Sequence, residues 1–311
     1  MRRRQFLTAA SSAVLANGIA AYPDLSAREV SQKIVDTHTH FFDPSRPEGI
    51  PWPGKGNKEL YRPVLPPEFK KIAEPLGIVG TVVVEASPWV GDNQWLLDLA
   101  AKDPFLRGIV GSLDTNSDDF AKLLERFARN PLYRGIRISH AVLLKGLDAK
   151  LKARCQLLID HDLELDVNGG PSMPVDVARL AASLPKLRIV INHCANLRID
   201  GGKPPRSWQQ AMQAAAKHPN VYCKVSALVE QTGKKRAPRE VEYYLPVLDS
   251  LWKYFGEDRL IFGSNWPVSK RGAPLSDVVG IVRDYFNAKG DQAANKYFFT
   301  NSQAAYKWPE R

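Results

Sequence analysis

What this chain lacks narrows its chemistry before any motif is considered. Its 311 residues include three cysteines, Cys155, Cys194 and Cys223. Their spacings match no metal-ligand pattern and an odd number cannot all pair. We therefore expect buried inert thiols, with neither a thiolate metal site nor a disulfide framework. No glycine-rich turn follows a strand in the manner of a dinucleotide-binding motif. No apolar run is long enough to make a convincing membrane span. Lys and Arg number 43 against 33 for Asp and Glu, a formal charge of +10, yet the basic residues are scattered without aromatic interleaving or a single stripe. That pattern argues against a nucleic-acid partner and reads as solubility with a mild attraction for anionic small molecules.

What is present is the composition of a globular domain. The hydrophobic content of 44% suffices for a substantial core, and no shift in composition marks a second domain. The first residues stand apart. Arg3-Arg4-Gln5-Phe6-Leu7, followed by a moderately apolar, small-residue stretch to Ala21, looks like a twin-arginine export signal. We expect a signal over residues 1–27, cut between Ala20 and Ala27, and one domain over residues 28–311. The implied partner is the twin-arginine export machinery, which carries folded proteins. The implied location is periplasmic or secreted, with no permanent membrane anchor.

From Lys33 onward the chain alternates. Strand-like stretches begin with Lys33-Ile34-Val35-Asp36-Thr37-His38-Thr39-His40 and continue at Ile78–Glu85, Leu106–Asp114, Tyr133–Ile138, Leu163–Asn168, Leu187–His193, Val221–Ser226 and Arg259–Asn265. Between and after them, helical patterns run over Pro67–Leu76, Asn93–Lys102, Ser117–Arg129, Leu147–His161, Pro174–Leu184, Ser207–Lys217, Arg239–Phe255, Leu275–Ala288 and Asp291–Tyr306. Eight strands, each followed by helix, predict a (β/α)8 TIM barrel; a doubly wound open sheet is the competitor. A Pro/Gly-rich loop, Pro44 to Pro67, carries Trp52 and Tyr61 and reads as a binding loop at the mouth.

In a barrel the chemistry sits at the strand C-termini. Those of this chain are polar: His38 and His40, Glu85, Asp114, Arg137, Asn168, His193, Lys224, Ser226 and Asn265. Alternation on the fifth strand sends Leu163, Leu165 and Val167 to the helical layer, and Glu164, Asp166 and Asn168 into the barrel. Unpaired charge is costly there, so an internal ion network with Arg137 and Lys224 is expected.

Three motifs carry a resemblance: Val35-Asp36-Thr37-His38-Thr39-His40-Phe41-Phe42-Asp43-Pro44, Ile191-Asn192-His193, and Ile261-Phe262-Gly263-Ser264-Asn265-Trp266-Pro267-Val268. Together they resemble the amidohydrolase superfamily, in the branch of TIM-barrel hydrolases that includes sugar-acid lactonases and 2-pyrone-4,6-dicarboxylate lactonase. The resemblance implies that His38, His40 and His193 are the imidazoles of the site, able to hold one divalent metal ion such as Zn²⁺. It also implies that position 265 carries an acid. Here the chain departs, with Asn265 in place of Asp, and Asn168 where metal-dependent relatives have histidine on the fifth strand. An amide is no general base.

The implied reaction is attack of water on the carbonyl of a small lactone, sugar-derived or anionic. Glu85 is then a candidate for steering water, and Arg137, Lys224, Trp89 and Asn168 are candidates for binding substrate. Two mechanisms stay open, one through a bound metal and one without it, in which the imidazoles and Arg137 hold the lactone while Glu85 or another acid steers water. A decarboxylase or hydratase on the same barrel is an alternative, as is a ligand-binding protein that lost its base at Asn265.

Overall fold

The computed structural model describes residues 32–311. The Arg3-Arg4 motif and the cleavage region lie outside the described residues. Eight parallel strands form one sheet in consecutive order: β1 (Ile34–Thr39), β2 (Ile78–Val84), β3 (Leu106–Gly111), β4 (Tyr133–Ser139), β5 (Glu164–Asn168), β6 (Ile189–Ile191), β7 (Val221–Val225) and β8 (Leu260–Phe262). The sheet returns on itself at β1 and β8. Thr39 bridges Trp266, the His40 N–H donates to the Trp266 carbonyl at 2.9 Å, and Asp36 Oδ1 accepts from the backbone N–H of Ser264 at 2.9 Å. Parallel neighbours require crossovers, which the helices between successive strands provide. The barrel expected from the alternation is observed, and the open sheet is not.

Two apolar layers follow from strand parity. Ile109, Leu165, Val167, Ile189, Ile191 and Phe262 pack outward in the large core beneath the helices. Val35, Val82, Val84, Val110, Val190 and Ile261 form a second cluster with Tyr306 and Trp308 of the C-terminal segment. These small branched residues fill the barrel interior, so the cylinder is a packed plug with one polar end.

Several helix ends differ from the periodicity. The segment expected as one helix over Leu147–His161 begins at Ala149 and is preceded by a short helix, His140–Leu144. Asp148 is the reason for the later start, because its side chain accepts from the Leu151 N–H and caps the helix. The Arg239–Phe255 helix begins at Leu245, after a 3-10 turn at Val241–Tyr243. The last helix is interrupted by a π-helical turn over Lys296–Thr300, which places Tyr306 and Trp308 against the barrel interior.

The expected internal ion network exists in part. Lys224 is fully buried, and its Nζ donates to Asp166 Oδ2 at 2.9 Å. The Tyr306 hydroxyl donates to Asp166 Oδ1 at 2.8 Å. Glu164 has no hydrogen-bond partner for either carboxyl oxygen. Burial, followed by the neighbouring Asp166 charge, raises its pKa well above the carboxylate range, so it sits in the wall as a neutral acid. Asp166→Ala strands the Lys224 ammonium and is expected to cost roughly 3–5 kcal/mol in urea unfolding, whereas Asp166→Leu with Lys224→Met recovers most of that loss. Equal losses in the single and double variants would show that the pair is not what holds this layer.

Candidate functional site

His38 and His40 reach the same cup because β1 is irregular. Asp36 pairs with Thr81 and Thr39 with Val83, so three residue steps of β1 oppose two of β2. The extra residue reverses the parity. Val35 faces the inner cluster, and after the bulge His38 and His40 continue that inward row. Their ring centroids lie 4.9 Å apart. Asp36 pins the bulge, its Oδ1 accepting from the His38 N–H at 3.0 Å as well as from Ser264. Burial pushes that carboxyl up to about 6.

His193 arrives by a different device. After β6 the backbone turns left-handed through four successive residues, His193 (φ 54), Cys194 (φ 52), Ala195 (φ 58) and Asn196 (φ 46). Each such residue without glycine costs about 1–2 kcal/mol, and strain of this kind persists only where neighbours over-determine it. Asn196 supplies that restraint by donating to Asn168 Oδ1 and to the Gly169 carbonyl, both at 2.9 Å, while accepting from Gln231. The His193 ring lands 4.3 Å from that of His38, and its Nδ1 pairs with Ser226 Oγ at 2.8 Å. Cys194 in this turn and Cys223 on β7 pack in the helical layer, and all three cysteines are buried.

Burial dominates the electrostatics. It pushes His38 and His193 well below the usual histidine range, with Lys224 adding to the effect, and His40 down to about 3. The cup is therefore lined by neutral imidazoles. Lys224 Nζ donates to His38 Nδ1 at 3.1 Å, which leaves the ring proton on Nε2, a buried atom with no partner. Arg137 enters from β4, its Nε donating to Glu85 Oε1 at 2.7 Å and its Nη2 to the Glu85 carbonyl at 2.8 Å.

Several sequence-based roles need correction. Lys224, expected to bind substrate, is sealed beneath the cup with no exposed surface and acts on His38 instead. Asn168 is committed to Asn196 and holds the left-handed turn. Glu85 is paired with Arg137 through Oε1, which leaves its Oε2 as the carboxylate oxygen open to water. Trp89 is 39% exposed and makes no ring contact with the cup. The aromatic at the cup is Trp52 from the Pro44–Pro67 loop, with its ring 5.9 Å from that of His40.

Asn265 does face the cup, with Oδ1 3.3 Å from His40 Nε2. Its Nδ2 donates to a carboxylate that the sequence reading passed over, Glu230, at 2.7 Å. A lone acid in an irregular segment next to the Lys234-Lys235-Arg236 run offers no periodic signal. Only the packing of that segment against the end of β8 reveals it.

The three rings form a cluster, not a finished ligand set. Among the described residues no group of three His, Cys, Asp or Glu side chains is arranged to hold a metal. The donor chemistry nevertheless fits one divalent ion. His38 Nε2 is unpartnered, His193 is held only through Nδ1, and the His40 contact with Asn265 is long at 3.3 Å. The two uses of His38 exclude each other, because Nε2 can ligate only when the ring proton sits on Nδ1.

A family model described as Amidohydrolase matches residues 35–308. The L-fucono-1,5-lactonase of Burkholderia ambifaria is 33% identical over 250 residues, covering 78% of this chain and 83% of that protein. A crystal structure of an amidohydrolase from Burkholderia multivorans with bound zinc superposes with a TM-score of 0.78 at 23% identity, covering 89% of this chain and all of that one. A probable 2-pyrone-4,6-dicarboxylic acid hydrolase from Acinetobacter baumannii, with citric acid bound, gives 0.71 at 15% identity over 89% of this chain and 100% of that chain. At those identities the two structures bear on the fold alone.

The neutral cup has a solution signature. The unfolded chain takes up protons near the ordinary histidine pKa of about 6.5, and the folded rings refuse them. Stability is therefore highest above that pH and falls as pH drops below it. In a ¹⁵N-detected titration, the signals of His38, His40 and His193 should stay those of neutral imidazole from pH 8 down to pH 5. A ring among them that protonates near 6.5 would show that burial does not govern it.

Proposed function

The chain belongs to the amidohydrolase family and is a lactonase-like hydrolase, and we propose that it opens small lactones of sugar acids. The observation that carries this reading is the cup of three neutral imidazoles with an unpartnered buried donor, His38 Nε2, among them. A lactone carbonyl gains negative charge on oxygen as water adds. A prepositioned N–H in a site shielded from water stabilises that charge strongly. Lys224 keeps the proton on His38 Nε2 by donating to Nδ1, and its buried charge further polarises the ring.

The other residues orient the substrate. Arg137 is fixed by its fork onto Glu85 and presents a cation to ring or hydroxyl oxygens. Trp52, 36% exposed, offers an aromatic wall for the apolar face of a sugar ring. His193, with its Nδ1 held by Ser226, leaves Nε2 toward the cup for the attacking water. A lactone is an activated ester, so weakly basic groups suffice.

The amidohydrolase superfamily generally uses a divalent metal. In this chain His38, His193 and His40 would hold it, and the ion would supply carbonyl polarisation and a more acidic water. We propose Zn²⁺ as that ion; when bound it would replace the His38 N–H as the group that polarises the carbonyl, because Nε2 cannot carry a proton and ligate at once. We also propose that the protein works in the periplasm or outside the cell after export in the folded state. That part of the reading is supported by Arg3-Arg4-Gln5-Phe6-Leu7 and the small-residue stretch behind it.

The test is a pH-indicator assay with sugar-acid 1,5- and 1,4-lactones. The protein should open at least one well above its spontaneous rate. His38→Ala with His193→Ala should lower kcat/KM by about 10²–10³-fold or more. Activity that survives the double variant, or release of CO₂ in place of a new acid group, would remove the proposal.

A further inference from the structure

The contacts around Asn265 do not balance. Three run in a row: Val84 carbonyl to His40 Nδ1 at 2.9 Å, His40 Nε2 to Asn265 Oδ1 at 3.3 Å, and Asn265 Nδ2 to Glu230 Oε1 at 2.7 Å. Each contact needs one hydrogen. A neutral imidazole brings one, the amide brings one to this row, and a carboxylate brings none. With Glu230 ionised, one contact must set acceptor against acceptor. The lengths show where: the 3.3 Å contact is the loose one, since a ring that donates to Val84 offers only a lone pair to Asn265.

We propose that Glu230 is a positioning residue for the lactone-opening reaction: as a protonated carboxyl it donates to Asn265 Oδ1, turns Nδ2 toward His40 Nε2, and fixes His40 as the Nδ1–H tautomer. Exchanging the ends of the amide and adding that proton satisfies all three contacts. It also explains the other carboxyl oxygen, Oε2, which is buried without a partner. A bare carboxylate oxygen there is costly, and the neutral acid is much less so. The acid missing from position 265 is thus replaced in space from the loop after β7, acting through the amide.

The surroundings support a protonated state near neutrality. Burial pushes Glu230 up to about 7, opposed by its own backbone N–H, Asn265 and Arg271. Tyr244, ahead of the helix Leu245–Phe255, is a further ionisable neighbour. The carboxyl is also held in place. Gln231 of the same turn donates to Asn196 Oδ1 in the strained loop that carries His193, and its N–H bonds the Ala227 carbonyl at 3.1 Å.

For its kinetic arm the inference rests on the proposed lactone hydrolysis, and its structural arm needs no substrate. By ¹⁵N NMR of the protein without bound metal, which would compete for the same ring nitrogen, wild-type His40 should be the Nδ1–H tautomer below about pH 7, with its Nε2 signal moving as Glu230 ionises. In Glu230→Gln, which can donate at every pH, that signal should stay fixed. Glu230→Ala should lower kcat by about tenfold or more with a smaller change in KM. Glu230→Gln should recover part of that loss and flatten the pH dependence. A His40 signal that does not move in the wild type, or moves alike in Glu230→Gln, overturns the inference. Inactivity toward every lactone with the expected His40 behaviour would instead overturn the proposed function and leave this assignment standing.

Discussion

The site depends on one buried ammonium. Lys224 lies beneath the imidazoles with no exposed surface, hydrogen-bonded to Asp166 and to His38, and 5.2 Å from the centre of the Tyr306 ring. A charge so placed survives only if its partners are exact in geometry, which is why Asp166 is itself held by the Tyr306 hydroxyl. The C-terminal segment thereby serves the catalytic end: it plugs the barrel interior and orders the ion pair that sets the tautomer of His38. Stability and chemistry share the same few atoms.

Above that layer the barrel spends backbone strain to aim its side chains. The bulge in β1 brings two histidines inward that simple alternation from Val35 would have sent to the helices. The left-handed run at His193–Asn196 brings a third. Both irregularities are braced by buried polar groups, Asp36 at the β1–β8 seam and Asn196 between β5 and the Glu230 turn. The same shielding that keeps the imidazoles neutral strengthens each hydrogen bond around them.

Much of this was legible from the residues. The alternation of eight apolar stretches with amphipathic ones identified the barrel, and parity on β5 placed Glu164 and Asp166 inside it. The strand-end positions of His38, His40 and His193 named the three rings, but the bulge in β1 and the left-handed run after β6 brought them together. Other roles were not legible. Lys224 was misjudged because a strand-end lysine gives no sign of its depth; Trp89 was preferred to Trp52 because both stand on mouth loops and only the fold of the longer loop decides which ring meets His40. Glu230 was missed because no spacing links it to Asn265.

The sequence by itself determined the strand count, the faces of regular strands such as β5, and the set of imidazoles available to the site, because these depend on local alternation of apolar and polar residues. Only the tertiary structure decided which polar groups pair, which are sealed from water, and which protons they carry. Those properties arise from contacts between residues far apart in the chain, 186 positions for Lys224 and His38 and 35 for Glu230 and Asn265, and from a burial that no single stretch of sequence specifies.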